Sequence, residues 1–193
     1  MMIGIINAGD WYELNTIELV ASVIRVTDVD IVHGKLQYWH KEQQSEQVSG
    51  NHNFLDKDMT VNHMTVFIRR ELLKKIGVFS TKFQYAMDYE LLLRAVNYGA
   101  SFFYIDMVLS NMRTEGKSHI GWRRALREVA YAKRLHSSAV LSPWVYYCYQ
   151  LVNAVELSWL PISRVKLFIS LFENSFITST RPDCIDTSEN KRL

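Results

Sequence analysis

Residues 2–12 read Met-Ile-Gly-Ile-Ile-Asn-Ala-Gly-Asp-Trp-Tyr, an apolar run that turns at Gly9-Asp10 and continues into Trp11 and Tyr12. A short apolar segment bounded by turn formers predicts a buried strand over residues 2–7. The carboxylate of Asp10 then stands at the C-terminal end of that strand, the edge where ligands gather in open α/β sheets. There Asp10 could hold a hard cation or a substrate hydroxyl. The alternative is that Gly9-Asp10 only makes a turn.

Working outward, strand-like and helix-like segments alternate. Asn15 precedes apolar residues at helical spacing (Ile17, Val20, Ala21, Ile24), and Glu18 stands at capping-box distance. Together they predict a helix over residues 16–25. Residues 30–39 are strand-like and broken by Gly34, whereas residues 41–58 are polar and read as a variable loop. Residues 63–69 form a second strand candidate. A short helix over 71–76 is closed by Gly77. A longer one over 88–97 has Leu91, Leu92, Ala95 and Val96 on one face and ends at Gly99. An aromatic strand candidate covers residues 101–112. From Trp122 the pattern is helical, over 122–136, about 143–159 and about 163–175, and the chain turns polar after Phe176. The alternation up to about residue 113 argues an α/β layered domain with helices appended.

The 193 residues carry 22 basic and 20 acidic side chains, a net charge of +2. That balance gives no electrostatic footprint for nucleic acid. With 48% hydrophobic residues the chain can bury a core, so disorder and disulfide-stapled miniprotein readings are excluded. Its two cysteines, Cys148 in an apolar stretch and Cys184 in a polar tail, form no C-x-x-C pair and suit a reducing, cytoplasmic compartment. No secretory signal is visible. The most lipid-like stretch, residues 139–161, is interrupted by polar residues and falls short of the roughly 20 apolar residues a span needs.

Three features could carry chemistry. Asp10 is the first. Asp88 is the second: it extends the apolar face of Leu91, Leu92 and Ala95 at a helix start, where the dipole favours its ionised form. That position suits a general base, and it equally suits an ordinary N-cap. Glu90, two positions on, points elsewhere. The third is the group His63, Arg113, Gly116, Ser118 and His119, polar residues at the start of one strand and in the loop after another. The P-loop, the dinucleotide fingerprint, H-E-x-x-H and G-x-S-x-G are all absent.

The order of these blocks is more specific than any one of them. Asn7-Ala8-Gly9-Asp10-Trp11-Tyr12, Val32-His33-Gly34-Lys35 and the run from Asn62 to Glu71 resemble segments of family 2 glycosyltransferases. The likeness continues through Gly77 to Phe83, Met87 to Arg94, Tyr104-Ile105-Asp106 and Arg113 to Ser118. It implies a partial GT-A (Rossmann-like) sheet with C-terminal helices. Residues 1–120 would be the acceptor-side half, 121–176 a helical extension and 177–193 a flexible tail. By this resemblance Asp10 matches the acid that binds a divalent cation, Mn or Mg, against a nucleotide-sugar diphosphate. Arg113 and Ser118 belong to the loop closing that site. Asp88 matches the general base of an inverting transfer, and His63 and Trp11 lie on the acceptor side. Gly9 stands where many relatives have a second Asp.

The family's nucleotide-binding half should precede Asn7, and only six residues do. Two explanations compete: a truncated product, or a partner chain supplying the other half. The expected activity is transfer of a sugar to a glycan or lipid-linked saccharide in polysaccharide and cell-envelope synthesis. The site of action would be the cytoplasm, at the inner face of the membrane, with the basic and aromatic helical end touching lipid. The competing reading is a non-catalytic remnant or interaction module.

Overall fold

The computed structural model describes residues 1–114 and 122–136. The expected helices over 143–159 and 163–175, the tail 177–193, and Gly116, Ser118 and His119 lie outside the described residues.

A six-stranded sheet is organised around two long neighbours, β3 (Ile31–His40) and β6 (Phe102–Arg113), which run parallel from Ile31↔Phe102 to Trp39↔Arg113. The other strands are short or lie at the margins: β1 (Met2–Gly4), β2 (Trp11–Tyr12), β4 (Gln43–Val48) and β5 (Phe67–Arg69). Their order is β1-β5-β3-β6-β2, with β4 joined to β3 beyond the reach of β5. Thus β3 uses Ile31 and Val32 to hold β5, then Leu36 to His40 to hold β4.

Alternating side chains feed two cores, as the two-residue period of a strand requires. Val32 and Phe67 face α1 (Thr16–Val26), together with Ile105 and Leu109. Ile31, Val66 and Ile68 face the opposite layer, α2 (Arg70–Ile76), α3 (Met87–Tyr98) and α4 (Trp122–His136). The mixed α/β layering expected from the sequence is therefore present.

Several expectations need correction. The strand over 2–7 stops at Gly4 and pairs only with β5; Ile5 and Ile6 are exposed rather than buried. On α1, Asn15 makes no side-chain cap. Buried Thr16 instead donates its hydroxyl to the Leu109 carbonyl at 2.6 Å. That bond fixes the rotation of α1, so Leu19, Val20, Val23 and Ile24 pack inward and Ile17 is exposed.

The polar segment 41–58 contains β4, hairpin-paired to β3 through a turn in which Lys41 and Glu42 both have positive φ. Such a turn suits the twist of a hairpin. Five of the six residues of β4 are exposed, so it carries no apolar alternation to read. Residues 63–65 form a 3-10 turn, with Asn62 Oδ1 accepting the Met64 amide, and the strand begins only at Phe67. The helices closing at Gly77 and Gly99 are as expected, both glycines having positive φ.

Gly34 does not break β3. It marks the shift in register where β6 bulges, Gly34 pairing with Ile105 and Lys35 with Val108. A Cβ here would lie 2.6 Å from Leu109 Cγ and 2.9 Å from the Met107 carbonyl oxygen. Gly34→Ala should therefore cost about 1–3 kcal/mol through overpacking. The check is a lower urea midpoint at unchanged slope.

Candidate functional site

Asn7 joins the two halves of the site. Its carbonyl accepts the Asp10 amide at 3.2 Å, closing the turn in which Gly9 has φ 93°. Its side-chain Nδ2 lies 3.4 Å from Nε2 of His63. Asp10 Oδ1 accepts the Arg113 backbone amide at 3.0 Å, which fastens the turn to the end of β6. The Arg113 guanidinium lies over the Trp11 ring, 5.5 Å from its centroid. Across Asn7, His63 Nδ1 is 3.0 Å from Asp88 Oδ2, and Asp88 Oδ1 accepts the Tyr89 amide at 2.8 Å.

The structure thus brings Asp10, Trp11 and Arg113 together and pairs His63 with Asp88. Asn7 links the two groups. Ser118 lies outside the described residues. Asp88 is not the N-cap of α3; Ala86 holds that position without a side-chain cap bond. Asp88 sits in the first turn, where the helix dipole stabilises a carboxylate. It also lines a cavity of about 210 Å³ whose walls include Ile3, Ile5, Val66, Leu91 and Leu92, with His63 beside it.

The missing cap of α3 is supplied by α4. Glu128 Oε2 accepts the backbone amides of Gln84, Tyr85 and Ala86 at 2.9, 2.6 and 2.9 Å. One carboxylate therefore satisfies three donors where the helix dipole is positive. Glu90, expected to point elsewhere, is buried: its Oε2 pairs with Arg94 and its Oε1 with His136 of α4, each at 2.7 Å. Arg94 also donates to the carbonyls of Ile76 and Val78. Neither network had a sequence signal beyond the i, i+4 spacing of Glu90 and Arg94, because the α4 partners lie about 40 positions away in sequence.

His33 and His52 form a second polar pair. His33 is fully buried, its Nε2 lies 2.9 Å from His52 Nδ1, and the His52 ring stacks on Phe102. Burial first, and then the neighbouring His52, pushes the His33 pKa down to about 3; burial lowers that of His52 as well.

For a cation, the donor set is sparse. Among the described residues no three His, Cys, Asp or Glu side chains are grouped to hold a metal. A lone carboxylate such as Asp10 fits an ion that takes its other ligands from phosphate and water, as Mg²⁺ does, and not one caged by protein alone.

No family model matches the chain, and no curated protein matches it in sequence. Among solved structures it is similar to S. aureus TarS 1-349 in complex with UDP-GlcNAc. That match has 14% identity and a TM-score of 0.50, and covers 75% of this chain and 45% of that one. The fold is therefore like that of TarS 1-349. TarS 1-349 without a named ligand matches at 12% identity and a TM-score of 0.49, over 88% of this chain and 53% of that one. This chain therefore spans about half of the TarS 1-349 structures.

Two outcomes follow from the polar networks. Glu128→Ala should destabilise the protein by about 1–2 kcal/mol, the range for a lost helix cap, and Glu128→Gln by less; urea unfolding of the two variants measures both. The sign for His33 comes from its lowered pKa. An unfolded histidine titrates near about 6.5, so between there and about 3 the unfolded chain binds more protons than the folded one. The contribution of His33 is complete above about pH 6.5 and is lost as pH falls, at up to about 1.4 kcal/mol per unit. Urea midpoints taken at about pH 7 and about pH 5 should fall more steeply for wild type than for His33→Gln.

Proposed function

We propose that this domain is the acceptor-side half of a metal-dependent, inverting glycosyltransferase that uses a nucleotide-sugar donor. The observation that carries the reading is the linked series Asp10–Asn7–His63–Asp88. It sets an acid at a sheet edge and a His–Asp pair beside a cavity, within a fold like that of a protein crystallised with UDP-GlcNAc. Asp10 would hold Mn²⁺ or Mg²⁺, which when bound supplies charge neutralisation for the departing diphosphate. Arg113, at the end of β6 and bonded to Asp10 through its amide, adds a cation for that diphosphate.

Asp88 is the base. Its carboxylate takes the proton of an acceptor hydroxyl as that oxygen bonds to the anomeric carbon and the bond from that carbon to the diphosphate breaks. His63 positions Asp88 through the 3.0 Å contact. In this reading Trp11 faces the acceptor, a glycan or lipid-linked saccharide. The contacts to the nucleotide base belong to the other half of such a fold. Work at the inner face of a membrane belongs to the same proposal. Among the described residues no helix is long and apolar enough to cross a membrane.

Calorimetry with UDP-GlcNAc and Mn²⁺ tests the assignment. Asp10→Ala should abolish donor binding. Asp88→Asn should retain it while lowering turnover by about 10²-fold or more. If Asp10→Ala binds donor as well as wild type, or Asp88→Asn turns over at the wild-type rate, the reading fails.

A further inference from the structure

Near the ends of β3 and β6 farthest from Ile31 and Phe102, a second pair of rings stands beside Asp10. Trp11 on β2 and Trp39 on β3 flank β6, their ring centroids 5.5 Å apart and their planes inclined at 52°. Both side chains are only half-buried. Trp39 is nevertheless held hard: its Nε1 donates to Asn111 Oδ1 at 2.6 Å, and Asn111 Nδ2 donates to Glu13 Oε1 at 2.7 Å. Asn111 itself is fully buried.

Burying an amide costs desolvation unless both its ends are bonded, as they are here. Packing alone would leave a half-exposed indole free to turn. The Asn111 network fixes its orientation instead, and a fixed aromatic face lowers the entropy lost when something binds to it. The rim is polar. Arg113 lies over Trp11 and offers hydrogen-bond donors, and Asp10 receives the Arg113 amide.

We propose that Trp11 and Trp39 form a platform for a pyranose ring. A sugar presents a face of C–H bonds with partial positive charge, which suits the negative face of an indole. Its hydroxyls need donors and acceptors, which the Arg113 guanidinium over Trp11 and the Asp10 carboxylate bonded to the Arg113 amide would supply. A purely apolar ligand would strand those two charged groups against hydrocarbon. Pockets for small ligands show this combination of aromatic walls and a few placed polar groups. Trp39 thereby gains a specificity role, and Asn111 is its positioning residue. This assignment deepens the glycosyltransferase reading, but its test does not pass through turnover.

The chain has five tryptophans, so the indole N–H signals can be followed individually by NMR. Methyl glycosides of glucose, galactose and N-acetylglucosamine are titrated into the full chain at millimolar concentration. Saturable shifts confined to the Trp11 and Trp39 signals, assigned through Trp11→Phe and Trp39→Phe, support the platform. Trp39→Ala should weaken the sugar by about tenfold or more, in the range for a central aromatic contact. Trp39→Phe, which keeps a ring but loses the Asn111 bond, should fall between it and wild type.

No shift with any glycoside overturns the proposal. So does a response to UMP without one to the glycosides, which would make the rings a nucleobase stack. Glycoside shifts with donor binding unchanged in Asp10→Ala keep the platform and sink the transferase reading. Donor binding without glycoside shifts does the reverse.

Discussion

The parallel ladder between β3 and β6 is the constraint on which the rest of the molecule depends. It is the longest pairing in the sheet, and its two strands supply Ile31, Val32, Ile105 and Leu109 to the cores on both faces. Parallel strands cannot be joined by a tight turn, so a long crossover must connect them. Everything between His40 and Phe102 is that crossover: the β4 hairpin arm, β5, α2 and α3. The catalytic candidates follow from the same ladder. Asp88 lies on the last helix of the crossover, and Asp10 is fastened to the end of β6.

Around that frame the polar side chains are used mainly to fix positions. Asn7 braces the Asp10 turn with its backbone and meets His63 with its side chain. Glu128 gathers three amides ahead of α3, and the first turn that follows carries Asp88. Asn111 holds Trp39. Glu128 is partly buried and Asn111 fully buried, so their partners offset the cost of desolvation and set the geometry, while Asn7 does its bracing at the surface.

How much was legible in the sequence depended on the range of the interaction. Helices that bury a stripe and stop at a positive-φ glycine, such as α3 with Gly99, announce themselves through local spacing. The family-like blocks picked out Asp10, His63, Asp88, Trp11 and Arg113, and the structure brings these into two linked groups. Strand β4 was invisible because its side chains pack on almost nothing. On α1, Val20 and Ile24 pack inward as their spacing implies while Ile17 is exposed, because the rotation is set by Thr16 bonding to Leu109, a contact across 93 positions. Glu128 and His136 were unreadable for the same reason: their partners are distant in sequence, and no local rule pairs them.

Arg94 and Glu90 have a wider effect. Arg94 holds the carbonyls of Ile76 and Val78 at the end of α2, while Glu90 joins it to His136 at the end of α4. Three helices that are separate in the chain are thus wired through one buried carboxylate. Opening any of them uncovers the same buried Glu90–Arg94 pair, which couples the stabilities of the three helices.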